Sequence, residues 1–292
     1  GPAAVDYVSD DPFHITRMKQ QVVAGNISGA PFSTWAGPVS LAVGFEHRAE
    51  STRSRGNYGE GTTPTTWFIS AGIPFAGKYK VTEGYVEAVV PLAADEAWAK
   101  SLELNGAVRA TDYSTQGVTA TWKAGISYSP IDDLRFRATR SRDARSPTLV
   151  DLYSAGVTAS FSMSDPFNGN QSVDYRSTTT GNRNIKSEIA NSIGVGVVYQ
   201  PSFIPRFNVS LDYYKIDVEG AIASFSASQL INLCFTGNQT ACSTFTTIGT
   251  SPNGLPIYQF VSGPQNFATE VAKGLDIEAS YLLPLDTVSE GW

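Results

Sequence analysis

The sequence predicts an all-β fold: an antiparallel transmembrane β-barrel, present in part, with about nine long strands. Three observations carry that prediction. Apolar and polar residues alternate with a period of two in segment after segment, which gives strands one greasy and one polar face. The alternating segments run for about 10 to 15 residues, past the roughly 5 or 6 of a common soluble strand and long enough to cross a bilayer at a tilt. Their connections also alternate in length: short near 29–38, 92–100, 130–133 and 201–206, and long near 52–77, 143–187 and 221–266, with 114–117 the short exception on the long-loop side. Short turns at one end and long loops at the other are how outer-membrane barrels are built, and they make the three long segments extracellular loops in expectation.

Each strand shows the same pattern in turn. In "VSLAVGFEHR", Val39, Leu41, Val43 and Phe45 share one face. "KYKVTEGYVEAVVPL" sets Glu83 and Glu87 together on the other. Leu102, Leu104, Val108 and Ala110 alternate with Glu103, Asn105 and Arg109, and Val118, Ala120, Trp122, Ile126 and Tyr128 alternate with Thr119, Thr121 and Lys123. Leu134, Phe136 and Ala138 stand against Arg135, Arg137 and Thr139. Phe207, Val209, Leu211 and Tyr213 oppose Asn208, Ser210 and Asp212, and "GLDIEASYLL" opposes Leu275, Ile277, Ala279 and Tyr281 to Asp276, Glu278 and Ser280. A hydrocarbon core cannot solvate the charged set, so the polar face lines the lumen and the apolar face meets outer-membrane lipid. Tyr128, Tyr199 and Tyr213 suit an aromatic girdle.

Composition narrows the function classes. A net charge of −6 argues against a nucleic-acid partner. Charged residues make up 16%, below the roughly 25% of a soluble domain. No run of about 18 apolar residues offers a transmembrane helix. The opening "GPAAVDYVSDDPF" lacks the basic and apolar regions of a signal peptide. Cys234 and Cys242 flank a polar, turn-like stretch and are expected to pair as a disulfide in an oxidising compartment; the distant His14 and His47 make a metal site the weaker reading. No nucleophile elbow, zinc-protease helix or phosphate loop is present, so no catalytic residue, metal or cofactor is assigned. Glu83 and Glu87 lie on the order of 13 Å apart on one strand face, too far for a paired acid and base.

Four stretches then resemble one family, the TonB-dependent outer-membrane receptors. "RSRDARSPTLVDLY" is similar to that family's strand end followed by Arg-x-Pro and an acidic-aromatic pair, and "GNRNIKSEIANSIGVGVVYQ" resembles its Gly-Asn-x-x-Leu-x-Pro-Glu segment. "NFATEVAKGLDIEASYLL" and "KYKVTEGYVEAVVPL" supply the others. Ser187 and Arg183 stand where the family often has Pro. The resemblance implies a 22-stranded barrel around a plug domain, in the bacterial outer membrane, with a segment ahead of the plug that engages the TonB complex. No plug-like region is legible here, so the chain is read as a portion of the barrel, residues 1–292, needing the plug and remaining strands to close it.

The implied activity is energy-coupled uptake of a ligand such as a ferric siderophore, cofactor or oligosaccharide. The alternative is a passive porin-like or surface-binding barrel, and a soluble β-solenoid or lectin is the least favoured. Arg135 and Arg137 fall on the lumen beat, while Arg140 and Arg142 lie where the strand leaves the membrane. The expected ligand contacts are Arg135, Arg137, Arg142 and Arg145, with the loop aromatics Tyr153, Phe167, Tyr175 and Phe235. The competing reading pairs the arginines with barrel acids and packs the aromatics within the loops.

Overall fold

The computed structural model describes residues 13–56 and 74–283. The opening segment, most of the first long loop and the closing "PLDTVSEGW" lie outside the described residues. Nine strands make one sheet: β1 (His14–Thr34), β2 (Gly37–Gly56), β3 (Ala76–Glu96), β4 (Ala99–Tyr113), β5 (Gly117–Ile131), β6 (Leu134–Arg145), β9 (Glu188–Tyr199), β10 (Phe207–Ala223) and β13 (Gln265–Tyr281). They neighbour one another in chain order, and every pair is antiparallel. Spatial order follows chain order because each strand returns beside its predecessor, with the intervening loop segments standing off the sheet.

The register preserves the alternation across the sheet. Val43, Val86, Val108 and Trp122 form one transverse row, and Phe136, Val197, Leu211 and Ile277 form another on the same face. Val108 is 61% exposed and Ile277 74%. So broad an apolar face has no partner among the described residues and is suited to lipid. The opposite face carries the row Gly44, Tyr85, Arg109 and Thr121. A one-residue slip would turn Glu83, Arg109 and Asp212 toward the hydrocarbon, so burial in lipid fixes the register.

Aromatics mark the short-turn end. The Trp98 and Tyr128 rings are 6.5 Å apart, Tyr128 and Phe136 6.4 Å, and the Tyr128 hydroxyl donates to the Trp98 carbonyl. In the first turn Trp35 Nε1 donates to the Leu92 carbonyl. Tyr199 sits in this belt opposite Leu134. Tyr213 instead lies farther along β10, paired with Val195 and Leu275, toward the other margin of the apolar band.

The long-loop end is folded rather than open coil. The strands extend past the boundaries read from sequence, and the second and third long connections narrow to 146–187 and 224–264. The second contains α1 (Leu149–Tyr153), β7 (Val157–Asp165), a 3-10 turn at Pro166–Asn168 and β8 (Gln171–Thr179). The third contains α2 (Ala227–Phe235), α3 (Gln239–Cys242), β11 (Phe245–Thr250) and β12 (Pro256–Ser262). These strands form a second sheet in the order β11-β12-β8-β7, and β12 joins β8 in parallel from Tyr258 opposite Tyr175 to Ser262 opposite Thr179. Two connections from distant parts of the chain thus fold as one unit. Its core holds Met163, Val173, Leu230, Ile231 and Phe260.

Candidate functional site

The polar face is a network of paired charges. Glycines let it form. A Cβ on Gly44 would overlap the Tyr85 ring, and with that space free Tyr85 lies flat beneath the Arg109 guanidinium, 4.9 Å from the ring centroid. Arg109 Nη1 is 3.1 Å from Glu83 Oε1, and Thr111 donates to Glu83 Oε2. These side chains border a groove of about 320 Å³ that Glu87, Lys123 and Asp143 also line. Farther along, Arg137 on β6 reaches across β9 to Asp212 on β10, with Nε–Oδ1 2.8 Å and Nη2–Oδ2 2.5 Å. The strand between presents Gly196, where any Cβ would overlap Asp212. A bidentate pair of this kind holds both planes in a fixed orientation.

Where the sheet meets the folded loops, the motif residues act together. Arg145 makes a bidentate pair with Glu188, and Glu188 also accepts from the Ile222 backbone amide, so one carboxylate joins β6, β9 and β10. After buried Pro147, Thr148 and Asp151 form a capping box that starts α1. The helix sets Tyr153 over Gly77, in space that a Cβ would take, with its hydroxyl donating to the Lys78 carbonyl and Arg183 5.1 Å above the ring. Gly181 passes so close to α1 that a Cβ would stand 2.6 Å from the Ser154 amide nitrogen. Ser187 donates to Gln116, which donates in turn to Ser146.

Within the loop unit, Asp165 is fully buried. It accepts from the Phe167 amide at 2.9 Å, Asn168 Nδ2 at 2.6 Å and the Tyr258 hydroxyl at 2.9 Å. The last bond ties one long loop to the other. Burial first, then the hydrogen bond to Asp165, pushes the Tyr258 phenol up to about 12 from 10.0. At the surface Phe167 and Phe235, again one from each loop, meet edge to face at 5.1 Å and stay half exposed. The Cys234–Cys242 disulfide joins the end of α2 to α3. It therefore staples the middle of the third loop.

The residues singled out from sequence part into groups. Arg137 and Arg145 lie on the polar face, and each is committed to an acid. Arg135 shares that face. Arg142 pairs with Trp122 in the apolar row, so it points away from them, because an even offset from Phe136 keeps it on that strand face. Tyr153 is part of the packing at the base of the loops, and Tyr175 packs against Phe161 and Phe260 beside the core. Phe167 and Phe235 come together. Asp165, Tyr258 and Gly196 escaped the sequence reading. The alternation in "QSVDYRSTT" and "PIYQFVS" was the available signal for β8 and β12.

Comparison with known proteins agrees with this architecture. Residues 2–292 match the family model described as TonB dependent receptor-like, beta-barrel. No curated protein matches the chain. Among solved structures, the siderophore receptor PirA from Acinetobacter baumannii superposes with a TM-score of 0.63 at 14% identity, over 91% of this chain and 35% of that one. PirA from Pseudomonas aeruginosa gives 0.59 at 14%, over 91% and 40%. A ferric enterobactin receptor variant, PfeA, from Pseudomonas aeruginosa gives 0.60 at 16%, over 92% and 34%. The chain thus spans little more than a third of the length of these receptors.

Proposed function

Because the chain belongs to the TonB-dependent receptor family through its β-barrel domain, we propose that it forms part of the wall and mouth of an outer-membrane receptor for energy-coupled uptake of a ferric siderophore. The polar face then lines the lumen, the apolar face meets lipid, and the long loops face the cell exterior. A plug, further strands and the segment that engages the TonB complex complete the receptor. The observation that supports this most is the joined loop unit. A passive pore needs an open mouth, whereas two loops zipped through β8 and β12 form a built surface over one end of the sheet. Siderophore is favoured over cofactor or oligosaccharide because the superposing receptors are siderophore and ferric enterobactin receptors.

The loop unit supplies capture. Phe167 and Phe235 offer flat apolar surface at its exterior, and the polar network beneath offers hydrogen bonds along the lumen wall. Of the expected cations, Arg135 and Arg142 have no ion pair among the described residues; Arg135 shares the polar face but lies at the short-turn end of β6, so it can meet an anionic chelate only within the lumen and not at the loops. The test is uptake of radiolabelled ferric chelates by a deletion strain carrying the gene, with and without dissipation of the proton-motive force. Energy-dependent uptake of a chelate is the expected result. Uptake that survives the uncoupler would make this a passive pore, and restored growth on an oligosaccharide alone would replace the ligand class.

A further inference from the structure

Charge is spread unevenly along the chain. Asp, Glu, Lys and Arg make up 16% of its residues, yet the whole connection 224–264 contains none of them and no histidine. The connection that pairs with it, 146–187, holds three acids, Asp151, Asp165 and Asp174, and three cations, Arg176, Arg183 and Lys186, so the joined loop unit has a formal net charge of zero. Most of these six are committed. Asp151 closes the capping box of α1, Asp165 is buried between the two loops, and Arg183 lies over Tyr153 at the base. Lys186 is also at the base, where Asn266 holds its backbone. Asp174 and Arg176 stand two residues apart on one face of β8, where their charges offset. That face is opposite the one by which Tyr175 joins the core with Leu230 and Ile231 of α2.

What the unit exposes around its ring pair is aromatic and neutral. Phe167 and Phe235 are each half exposed, and the exposed residues that follow them are amides and hydroxyls: Asn170 and Gln171 in one loop, Thr236 and Gln239 in the other. The Cys234–Cys242 bond closes the segment that carries the second set, so this surface keeps its shape before a ligand arrives. Arg145, where the sheet meets the loops, is already paired with Glu188.

We infer that the loop unit selects a ligand of zero net charge. The ferric chelate it captures is then one whose three singly charged bidentate groups neutralise the iron, as in a tris-hydroxamate, and not one with three doubly charged groups, as in a trianionic tris-catecholate. This selection rests on the siderophore reading for the identity of the ligand and on the loop unit's own charge for its neutrality. A trianion settling on this surface gives up hydration and meets no cation in return, a cost that a neutral chelate avoids. The apolar edges of the neutral chelate gain contact with the two rings, and its carbonyl oxygens accept from side-chain amides. Selection is thus by exclusion of charge, with no single residue that reads the iron.

The test measures binding of a radiolabelled ferric tris-hydroxamate and a ferric tris-catecholate to the detergent-extracted whole receptor by equilibrium dialysis, at low and high salt. The neutral chelate is expected to bind at least about tenfold more tightly, the penalty for leaving one buried charge unpaired, with an affinity indifferent to salt. Thr240→Lys, which adds a cation to the exposed segment closed by the disulfide, is expected to raise the affinity for the trianion several-fold at low salt only. Tighter binding of the trianion by the wild-type receptor, weakening as salt is raised, would overturn the selection and leave the siderophore reading standing. Binding of an uncharged oligosaccharide and of neither chelate would replace the siderophore reading and keep the selection for neutrality. Unchanged affinity for the trianion in Thr240→Lys would overturn the placing of the ligand on this surface.

Discussion

Replacing Tyr258 by Phe removes one hydroxyl and keeps the ring in the core of the loop unit. Asp165 then retains its two local donors, from Phe167 and Asn168, and loses the one from the other loop. A hydrogen bond to a charged acceptor contributes roughly 1.5–3 kcal/mol, and Asp165 has no access to water that would compensate. The titration of the phenol gives the pH dependence. Its pKa in the folded chain is raised from 10.0 to about 12, so its contribution is complete below pH 10 and is lost as pH rises from there through 12. Burial is the larger cause of that shift and the bond to Asp165 the next, so the shift sets the pH window and not the strength of the bond. Opening of the loop unit should therefore become about 10- to 100-fold more frequent. Hydrogen exchange by mass spectrometry should show that loss of protection in β8 and β12 and leave β2 and β3 unchanged. Spectrophotometric titration should lose one late tyrosinate step. Unchanged protection in β8 and β12, or an equal loss across the large sheet, would refute the reasoning that this bond joins the loops and acts locally.

Three further outcomes are expected. Gly196→Ala forces Asp212 off Arg137 and should lower the temperature of heat-modified gel mobility, at a cost of about 1–3 kcal/mol for overpacking; combining it with Asp212→Asn should add little beyond the single changes. Opening the nine-residue-scale loop closed by Cys234 and Cys242 should cost the loop unit up to roughly 3 kcal/mol, and in intact cells both thiols should resist labelling until a reductant is added and then react from outside. Phe167→Ala should weaken chelate binding by an amount that is not additive with Phe235→Ala, because each ring is the other's support; full additivity in a double-mutant cycle would separate the two residues functionally.

The large sheet was legible because its constraint is local and repeated. Lipid on one side and water on the other impose the period of two on every strand, so Phe136 and Arg137 declare their faces without knowledge of their partners. The loop unit obeys no such rule. The pairing of Tyr258 with Tyr175 joins residues far apart in the chain, and nothing in either segment names the other. The arginine run shows both situations at once. Alternation separates Arg135, Arg137 and Arg145 from Arg140 and Arg142 by face, whereas the sequence reading parted them by depth along the strand and kept Arg142 among the ligand contacts. Gly196 was legible only after the register put Arg137 and Asp212 on either side of it. The cysteines announced their bond, but its place in the loop depended on two short helices.

The parallel junction of β8 and β12 also limits how the receptor's mouth can diversify. Separate surface loops can be lengthened, shortened or exchanged one at a time, each change judged on its own. Here a new sequence in one loop meets the old sequence in the other, and a mismatched graft leaves an open strand edge and a severed core. The two segments must therefore be inherited as a matched pair, although β9 and β10 lie between them in the gene product. Recombination whose crossover falls within that interval would separate the pair, whereas one that carries the span from β7 through β12 intact would move a finished mouth onto a different barrel wall.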